Sequence, residues 1–188
     1  TAMPTHQRIQ AGLGRSFQIT RLFYDLPVLD NISLALRASR PSRYQMFRHA
    51  EHYREVITEA ERLLKTIDLY PKKDELAASI SYGEQRKLEI ILALASRPKV
   101  LLMDEPTVGL ASAEIHDFIN MIKALAADTT LIFSAHDMNV VFTLAKRVIV
   151  LYFGRIVAEG TPEEIQNNQK VREIYLGIKR GTSHAGVS

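Results

Sequence analysis

The sequence predicts an α/β protein with a parallel β-sheet, on three observations. Residues 100–103 form an unbroken apolar run that ends in two carboxylates, Asp104 and Glu105. A strand that is apolar on both faces is typical of a parallel sheet covered by helices, with ligands at the carboxyl ends of its strands. A second apolar strand at 129–134 is followed by His136, and segments of helical periodicity separate the two strands.

The first half of the chain predicts one strand and then a mainly helical block. Residues 12–23 favour a short strand that enters a loop, with Gln18 at the junction. Residues 27–38 fit a helix opened by proline, and residues 49–70 repeat apolar side chains at helical spacing. We therefore expect residues 27–97 to be largely helical.

The helix predicted to start after Ser81 allows two interpretations. Ser81 and Glu84 have the spacing of a capping box, so helix initiation alone explains them. An exposed Gly83 in the first turn would also leave backbone N–H groups open, and such a helix N-terminus can hold a phosphate. The sequence leaves both interpretations open.

The second half alternates helix and strand. The periodic segments are, in order, a helix at 112–127, a strand at 129–134, a helix at 138–146 and a strand at 147–153. Gly154 turns the last strand into residues 155–160, and we expect this hairpin at the edge of the sheet. Thr161 and Pro162 then begin a helical region that extends to about residue 176.

Composition and charge exclude several classes of protein. The 188 residues carry 24 basic and 21 acidic side chains, a net charge of +3 that is too small and too mixed for nucleic-acid binding. No apolar run approaches the roughly 18 residues that span a bilayer, so we expect no membrane-spanning segment. The chain has no cysteine, which favours a reducing compartment.

The two adjacent acids suggest phosphoryl-transfer chemistry. Neighbouring strand residues point to opposite faces, so Asp104 and Glu105 would flank one site from different directions. One carboxylate could hold magnesium on a nucleotide and the other could orient water. The simpler alternative is a core strand whose acids are only solvated at its end.

Four segments in fixed order resemble the ATP-binding subunits of ABC transporters. They are Gln18, the run Ser81-Tyr82-Gly83-Glu84-Gln85, the pair Asp104-Glu105, and His136. They match the family's Q-loop, signature motif, Walker B with its catalytic glutamate, and H-loop. The resemblance implies a P-loop NTPase-like parallel sheet core with an inserted helical subdomain. Tyr82, the RKLEI that follows the signature, AHDM, EGTPEEI and REIYLG further resemble the subunits of branched-chain amino acid importers.

The resemblance implies a role for each of these residues with ATP and Mg²⁺. Glu105 would be the general base for water, and Asp104 would hold magnesium through water. Gln18 would contact the metal and report to the membrane partner, and His136 would contact the γ-phosphate.

The signature residues are expected to bind a nucleotide across a dimer interface. Ser81, Tyr82, Gly83 and Glu84 would close on ATP held by a second ATP-binding subunit, identical or paralogous. The expected further partners are transmembrane permease subunits and, indirectly, a periplasmic or extracellular solute-binding protein. The expected location is the cytoplasmic face of the cell membrane.

The resemblance also divides the chain into four parts. We expect a remnant of the ATPase core with the Q-loop at 1–26 and a helical subdomain ending in the signature helix at 27–97. The ATPase core with Walker B and H-loop would occupy 98–160, and a helical region with a tail 161–188. No segment fits the P-loop pattern G-x-x-x-x-G-K-[S/T]. We therefore expect the N-terminal part of such a subunit to be absent and this chain alone to be inactive.

Other functions stay open at this stage. One is a non-hydrolysing, ABC-like module that binds a partner through its helical block. Another is an ABC ATPase of DNA repair or translation, although long coiled-coil insertions and tandem domains are not visible. A helicase suggested by Asp-Glu-Pro-Thr would not explain the Ser81 segment. His136 alone would more often be a structural histidine.

Overall fold

The computed structural model describes residues 3–4, 7–8, 11–15, 22–39 and 50–175. The chain forms two compact units, residues 1–136 and residues 137–188. Gln18 and the tail beyond residue 175 lie outside the described residues, and so does most of the first strand's predicted β-prone sequence. The division into four parts predicted above stays a prediction.

A three-stranded parallel sheet organises the first unit. Its strands are β1 (Leu13–Arg15), β2 (Val100–Asp104) and β3 (Thr130–Ser134), in the order β1-β2-β3. The central strand β2 pairs with β3 in a register that sets Asp104 opposite Ser134. The α/β class with a parallel sheet is therefore confirmed.

The central strand is not equally buried on its two faces. Leu101 and Met103 are fully buried, whereas Val100, Leu102 and Asp104 are only partly covered. The expectation of complete burial on both faces was too strong. Because side chains alternate along a strand, the partly covered face is the one that carries Asp104 at its end.

Four helices of the first unit match the predicted periodic segments. They are α1 (Val28–Ser39), α2 (Ala50–Thr66), α3 (Tyr82–Leu94) and α4 (Ser112–Leu125), with a 3₁₀ turn at Tyr70–Lys72. Helix α2 ends earlier than predicted because Asp68 is left-handed, with φ of 60°. The N–H of Leu69 returns to the carbonyl of Leu64 at 2.9 Å, which closes the last turn.

Helices α1, α2 and α3 share one apolar core. Val28, Ile32, Leu64, Leu88 and Ile91 are all inaccessible or nearly so to solvent and belong to the same cluster. The helical block predicted from periodicity therefore has a core of its own. None of the described helices combines the length and the apolar character that crossing a bilayer requires.

A buried asparagine holds the segment that leads into α1. Asn31 accepts from the N–H of Phe23 at 2.9 Å and donates to the carbonyls of Phe23 and Pro27 at 3.1 and 3.0 Å. A buried amide needs such partners, and here they fix the turn before the helix. The helix start gains further backbone bonds, from Val28 N–H to the carbonyl of Glu75 and from Leu29 N–H to that of Lys73.

Up to residue 175, where the described part of the chain ends, the second unit contains a hairpin and three short helices. Its elements are α5 (Met138–Leu144), β4 (Val148–Tyr152), β5 (Arg155–Gly160), α6 (Pro162–Asn167) and α7 (Gln169–Tyr175). The antiparallel hairpin and the cap of α6 by Thr161 are confirmed. Among the described strands, however, β4 and β5 pair only with each other. The predicted place of this hairpin at the edge of the parallel sheet was wrong.

Candidate functional site

The carboxyl ends of β2 and β3 bring the predicted site residue Asp104 next to Ser134. Asp104 Oδ1 accepts a hydrogen bond from Ser134 Oγ at 2.5 Å. The N–H of Glu105 donates to the carbonyl of Ser134 at 3.1 Å. Sequence analysis missed Ser134, although the β2–β3 register makes it the direct neighbour of Asp104.

Glu105 has an unusual backbone that sends the chain away from the strand. Its φ is +48°, a left-handed conformation that costs an L-residue about 1–2 kcal/mol. Its carbonyl accepts from the N–H of Val108 at 3.2 Å, which helps to hold the turn. Such a backbone persists only where its surroundings stabilise it, and it is typical of functional sites.

The side chain of Glu105 contacts the predicted histidine. Glu105 Oε2 lies 2.5 Å from His136 Nδ1. The carboxylate is 28% exposed and the imidazole 74% exposed, so the pair is open to a ligand. If Nδ1–H donates to the carboxylate, Nε2 remains for another partner.

The start of α3 contains the predicted capping box. Ser81 Oγ accepts from the N–H of Glu84 at 3.3 Å, and Glu84 Oε2 accepts from the N–H of Ser81 at 2.9 Å. Lys72 Nζ lies 2.7 Å from Glu84 Oε1. Burial acts to raise the pKa of Glu84, but the hydrogen bonds from Lys72 and Ser81 outweigh it, and the pKa lies below its ordinary value.

The first turn of α3 packs on the loop after β2. Tyr82 OH donates to the carbonyl of Val108 at 3.2 Å. Gly83 is buried, and a Cβ added there would lie 3.0 Å from the carboxyl carbon of Glu114. The expectation that Gly83 is exposed was therefore wrong, because Glu114 folds back to accept from the N–H of Ala111 at 2.9 Å.

This helix start still has donors for an anion. Within the described residues, the N–H groups of Tyr82 and Gly83 find no acceptor. Together with the Ser81 hydroxyl they form the kind of N-terminal donor set that phosphate oxygens accept from. The capping interpretation is thus confirmed, and it does not exclude the phosphate interpretation.

Sequence analysis also missed Arg86. This arginine is 1% exposed, yet it donates from Nε to the carbonyl of Pro106 at 3.0 Å and from Nη2 to the carbonyl of Glu105 at 3.3 Å. Its partner in charge is Glu89, whose Oε2 lies 2.5 Å from Nη1. The Arg-x-x-Glu spacing on an otherwise apolar helix stripe is the signal that could have found the pair.

Of the two predicted metal ligands, Asp104 lies within the described residues and Gln18 lies outside them. Within those residues, no three His, Asp or Glu side chains come together as a metal cluster. The oxygen groups of Asp104 and Ser134 nevertheless fit Mg²⁺, which takes one or two protein oxygens and retains several waters.

Comparison with known proteins identifies the family of the chain. The family model described as ABC transporter matches residues 1–108, and the model for branched-chain amino acid ATP-binding cassette transporters matches residues 155–178. The chain belongs to the ABC transporter family. Members of this family are ATP-binding subunits that hydrolyse ATP.

Curated relatives of this chain include ATP-binding proteins of branched-chain amino acid transport and of lipopolysaccharide export. The high-affinity branched-chain amino acid transport ATP-binding protein LivG of Salmonella typhimurium is 33% identical, and BraF of Pseudomonas aeruginosa is 31% identical. Each alignment covers 93% of this chain and 71% of the relative. The lipopolysaccharide export system ATP-binding protein LptB of Haemophilus influenzae is 29% identical, over 93% of this chain and 69% of the relative.

Solved structures share the fold. A nucleotide-free ATP-binding cassette from an ABC transporter is 27% identical with a TM-score of 0.73, covering 93% of this chain and 72% of that one. The ATP-binding cassette MJ1267 is 26% identical with a TM-score of 0.72, covering 90% of this chain and 70% of that one. The predicted P-loop NTPase-like fold is confirmed.

Proposed function

We propose that this chain carries the ATP-hydrolysing residues of a subunit that energises import of branched-chain or related amino acids. The contact between Glu105 and His136, beside Asp104 at the ends of parallel strands, supports the proposal most directly. Phosphoryl transfer needs positioned groups and charge neutralisation more than covalent chemistry, and this arrangement supplies positioned groups.

Glu105 acts as the general base in this proposal. Its carboxylate is anchored on one side by His136 and is partly exposed on the other, so it can orient and polarise a water molecule. His136 donates to the γ-phosphate from Nε2–H while Nδ1–H holds the carboxylate; both nitrogens donate in the imidazolium form of the ring. The side chain of Glu105, which leaves a left-handed backbone, contacts His136 beyond the carboxyl end of β3.

Asp104 and Gln18 serve the metal. Bound Mg²⁺ would neutralise charge on the phosphates of the nucleotide. Asp104 would hold the ion through water, and the hydrogen bond from Ser134 orients its carboxylate. Gln18 would contact the metal and transmit its state to the permease.

The signature residues act on a nucleotide held by a second subunit. Ser81 and the N–H groups of Tyr82 and Gly83 donate to its phosphate oxygens, and Glu84 keeps this helix start ordered through the capping box. Hydrolysis therefore needs a head-to-tail dimer of identical or paralogous subunits. The dimer lies on the cytoplasmic face of the membrane, against permease subunits, and serves a solute-binding protein on the other side.

The substrate and the direction rest on the relatives. The 33% identity to LivG, whose name states branched-chain amino acid transport, and the matching C-terminal family model favour amino acid import. A relative of the lipopolysaccharide export system is nearly as similar, so the direction of transport must be measured.

Uptake by the assembled transporter tests the proposal. The full-length gene product is reconstituted with its permease and solute-binding protein, and ATP-dependent uptake of labelled leucine is measured. We expect uptake that Glu105→Gln abolishes and that the control Glu163→Gln, an exposed carboxylate of α6, leaves unchanged. ATP hydrolysis without amino acid uptake would contradict the substrate, and absence of both would favour the partner-binding module.

A further inference from the structure

The buried pair Arg86 and Glu89 on α3 is not accounted for by the roles assigned so far. Both side chains are nearly inaccessible, at 1% and 7% exposure. Burying two charges costs free energy that apolar side chains of similar volume would not cost, so such a pair is poorly explained by stability alone. The contacts of Arg86 therefore indicate which role, other than stability, the pair has.

Two of the three guanidinium nitrogens of Arg86 donate to the backbone of the proposed catalytic segment. Nε donates to Pro106 and Nη2 donates to Glu105, at 3.0 and 3.3 Å, while Nη1 contacts Glu89 at 2.5 Å. The guanidinium is planar and rigid, so three contacts at once fix the position of both carbonyls. Glu89 in turn fixes the orientation of the guanidinium.

These carbonyls belong to the strained turn that aims Glu105. The left-handed φ of +48° is disfavoured for glutamate and needs external contacts to persist. Ser134 holds the N–H side of Glu105, and Arg86 holds the carbonyl side. The backbone that carries the carboxylate is thus held at both peptide groups that flank Glu105.

The same arginine ties this turn to the signature segment. Arg86 lies three residues after Gly83, on the same face of α3, so it moves with the first turn of the helix. We infer that Arg86 is a positioning residue that couples the start of α3 to the general base Glu105. Through Arg86, the position of the signature segment against the nucleotide of the second subunit determines the position of the Glu105 carboxylate.

This inference rests on the proposed function, and Arg86→Lys in the full-length, assembled protein tests it. Lysine keeps the charge opposite Glu89 but lacks the planar fork. Because small misplacements of a reacting group cost up to about 100-fold, we expect kcat for ATP to fall about 10-fold or more. KM should stay within about threefold, because the groups that bind ATP are unchanged.

A matched control exists on α2. Arg62 and Glu59 also form an i,i+3 pair, in the reverse order and with two hydrogen bonds of 2.8 Å, but Arg62 is exposed and Glu59 partly exposed, and neither contacts the site. Arg62→Lys should leave kcat unchanged. A merely structural role of Arg86 is separated by a double-mutant cycle: in a Glu105→Gln background, Arg86→Lys should not slow the residual single-turnover hydrolysis any further.

A second variant keeps the inference testable if Arg86→Lys does not fold. Arg86→Met with Glu89→Leu replaces the whole pair by apolar side chains, which buried sites often accept. It should fold and show the same fall in kcat. A folded variant of either kind with wild-type kcat would overturn the inference, and so would loss of folding in both, which would assign Arg86 to the fold alone.

The two hypotheses fail separately. If the wild type does not hydrolyse ATP, or if Glu105→Gln hydrolyses it normally, the proposed function fails. If hydrolysis depends on Glu105 but is insensitive to Arg86→Lys, only the positioning role fails.

Discussion

Glu105 combines a left-handed backbone with a carboxylate that contacts an exposed histidine. An acid kept only for folding would not need this arrangement, since an ordinary strand residue avoids the cost of the left-handed region. The peptide N–H of Glu105 donates to both the carbonyl and the hydroxyl of Ser134, which holds this backbone in place. At the scale of the residue, the strain is therefore best explained by the position it gives the carboxylate.

Glu84 has a structural role at the start of α3, within the segment that we propose binds a nucleotide. Its carboxylate accepts from Ser81 N–H and pairs with Lys72, which lowers its pKa below the ordinary value of 4.5 despite burial. A lowered pKa in the folded state contributes stability that is present above the unfolded pKa and lost as pH falls below it. The start of α3 should therefore weaken in acid.

We predict that Glu84→Gln lowers the free energy of unfolding at pH 7 and that this difference from wild type shrinks as pH falls below about 4.5. Urea unfolding from pH 7 to pH 3 measures it. Lys87→Gln, which removes one charge from the same helix, is the control and should keep the wild-type slope. A Glu84→Gln difference that is constant over this range would contradict the assignment.

At the scale of the element, the loop after β2 is shaped to receive the first turn of α3. Gly109 has φ of +83°, and a Cβ at this position would lie 2.7 Å from Tyr82 Cε1. Only glycine satisfies both the backbone and the ring. The hydrogen bond from Tyr82 OH to Val108 keeps the same two elements together.

Gly109→Ala should destabilise the protein by more than the backbone cost of about 1 kcal/mol, because the ring of Tyr82 must also move. Gly154→Ala is a matched control: its φ is +72°, but no atom lies within 4 Å of an added Cβ. Thermal unfolding of the two variants gives the difference. Equal losses of stability would show that the Tyr82 contact contributes nothing.

At the scale of the whole molecule, the sequence predicted most of the described strands and helices. Continuous apolar runs predicted the parallel strands, the period of 3.6 predicted the helices, and the turn at Gly154 predicted the hairpin. These patterns do not encode which strands pair, and among the described strands the hairpin pairs with neither edge of the parallel sheet. The signature and strand-end residues were found from motifs, but Gly83 was wrongly expected to be exposed.

The parts that sequence analysis missed depend on tertiary contacts. The place of Arg86 on an apolar helix stripe indicates at most that it is buried, and only the folded chain shows its hydrogen bonds to the carbonyls of Glu105 and Pro106. Ser134 looks like the polar end of a strand, and only the register sets it against Asp104. Neither contact is local in sequence, so no periodicity reveals it.

The most direct test of the account is ATP binding and hydrolysis by the full-length gene product, as wild type and as Glu105→Gln. We predict that the wild type hydrolyses ATP and that the variant loses turnover by about 100-fold or more while its ATP affinity stays within a few-fold. Glu163→Gln should behave as wild type. Turnover by Glu105→Gln at the wild-type rate would contradict the central claim that this carboxylate activates the attacking water.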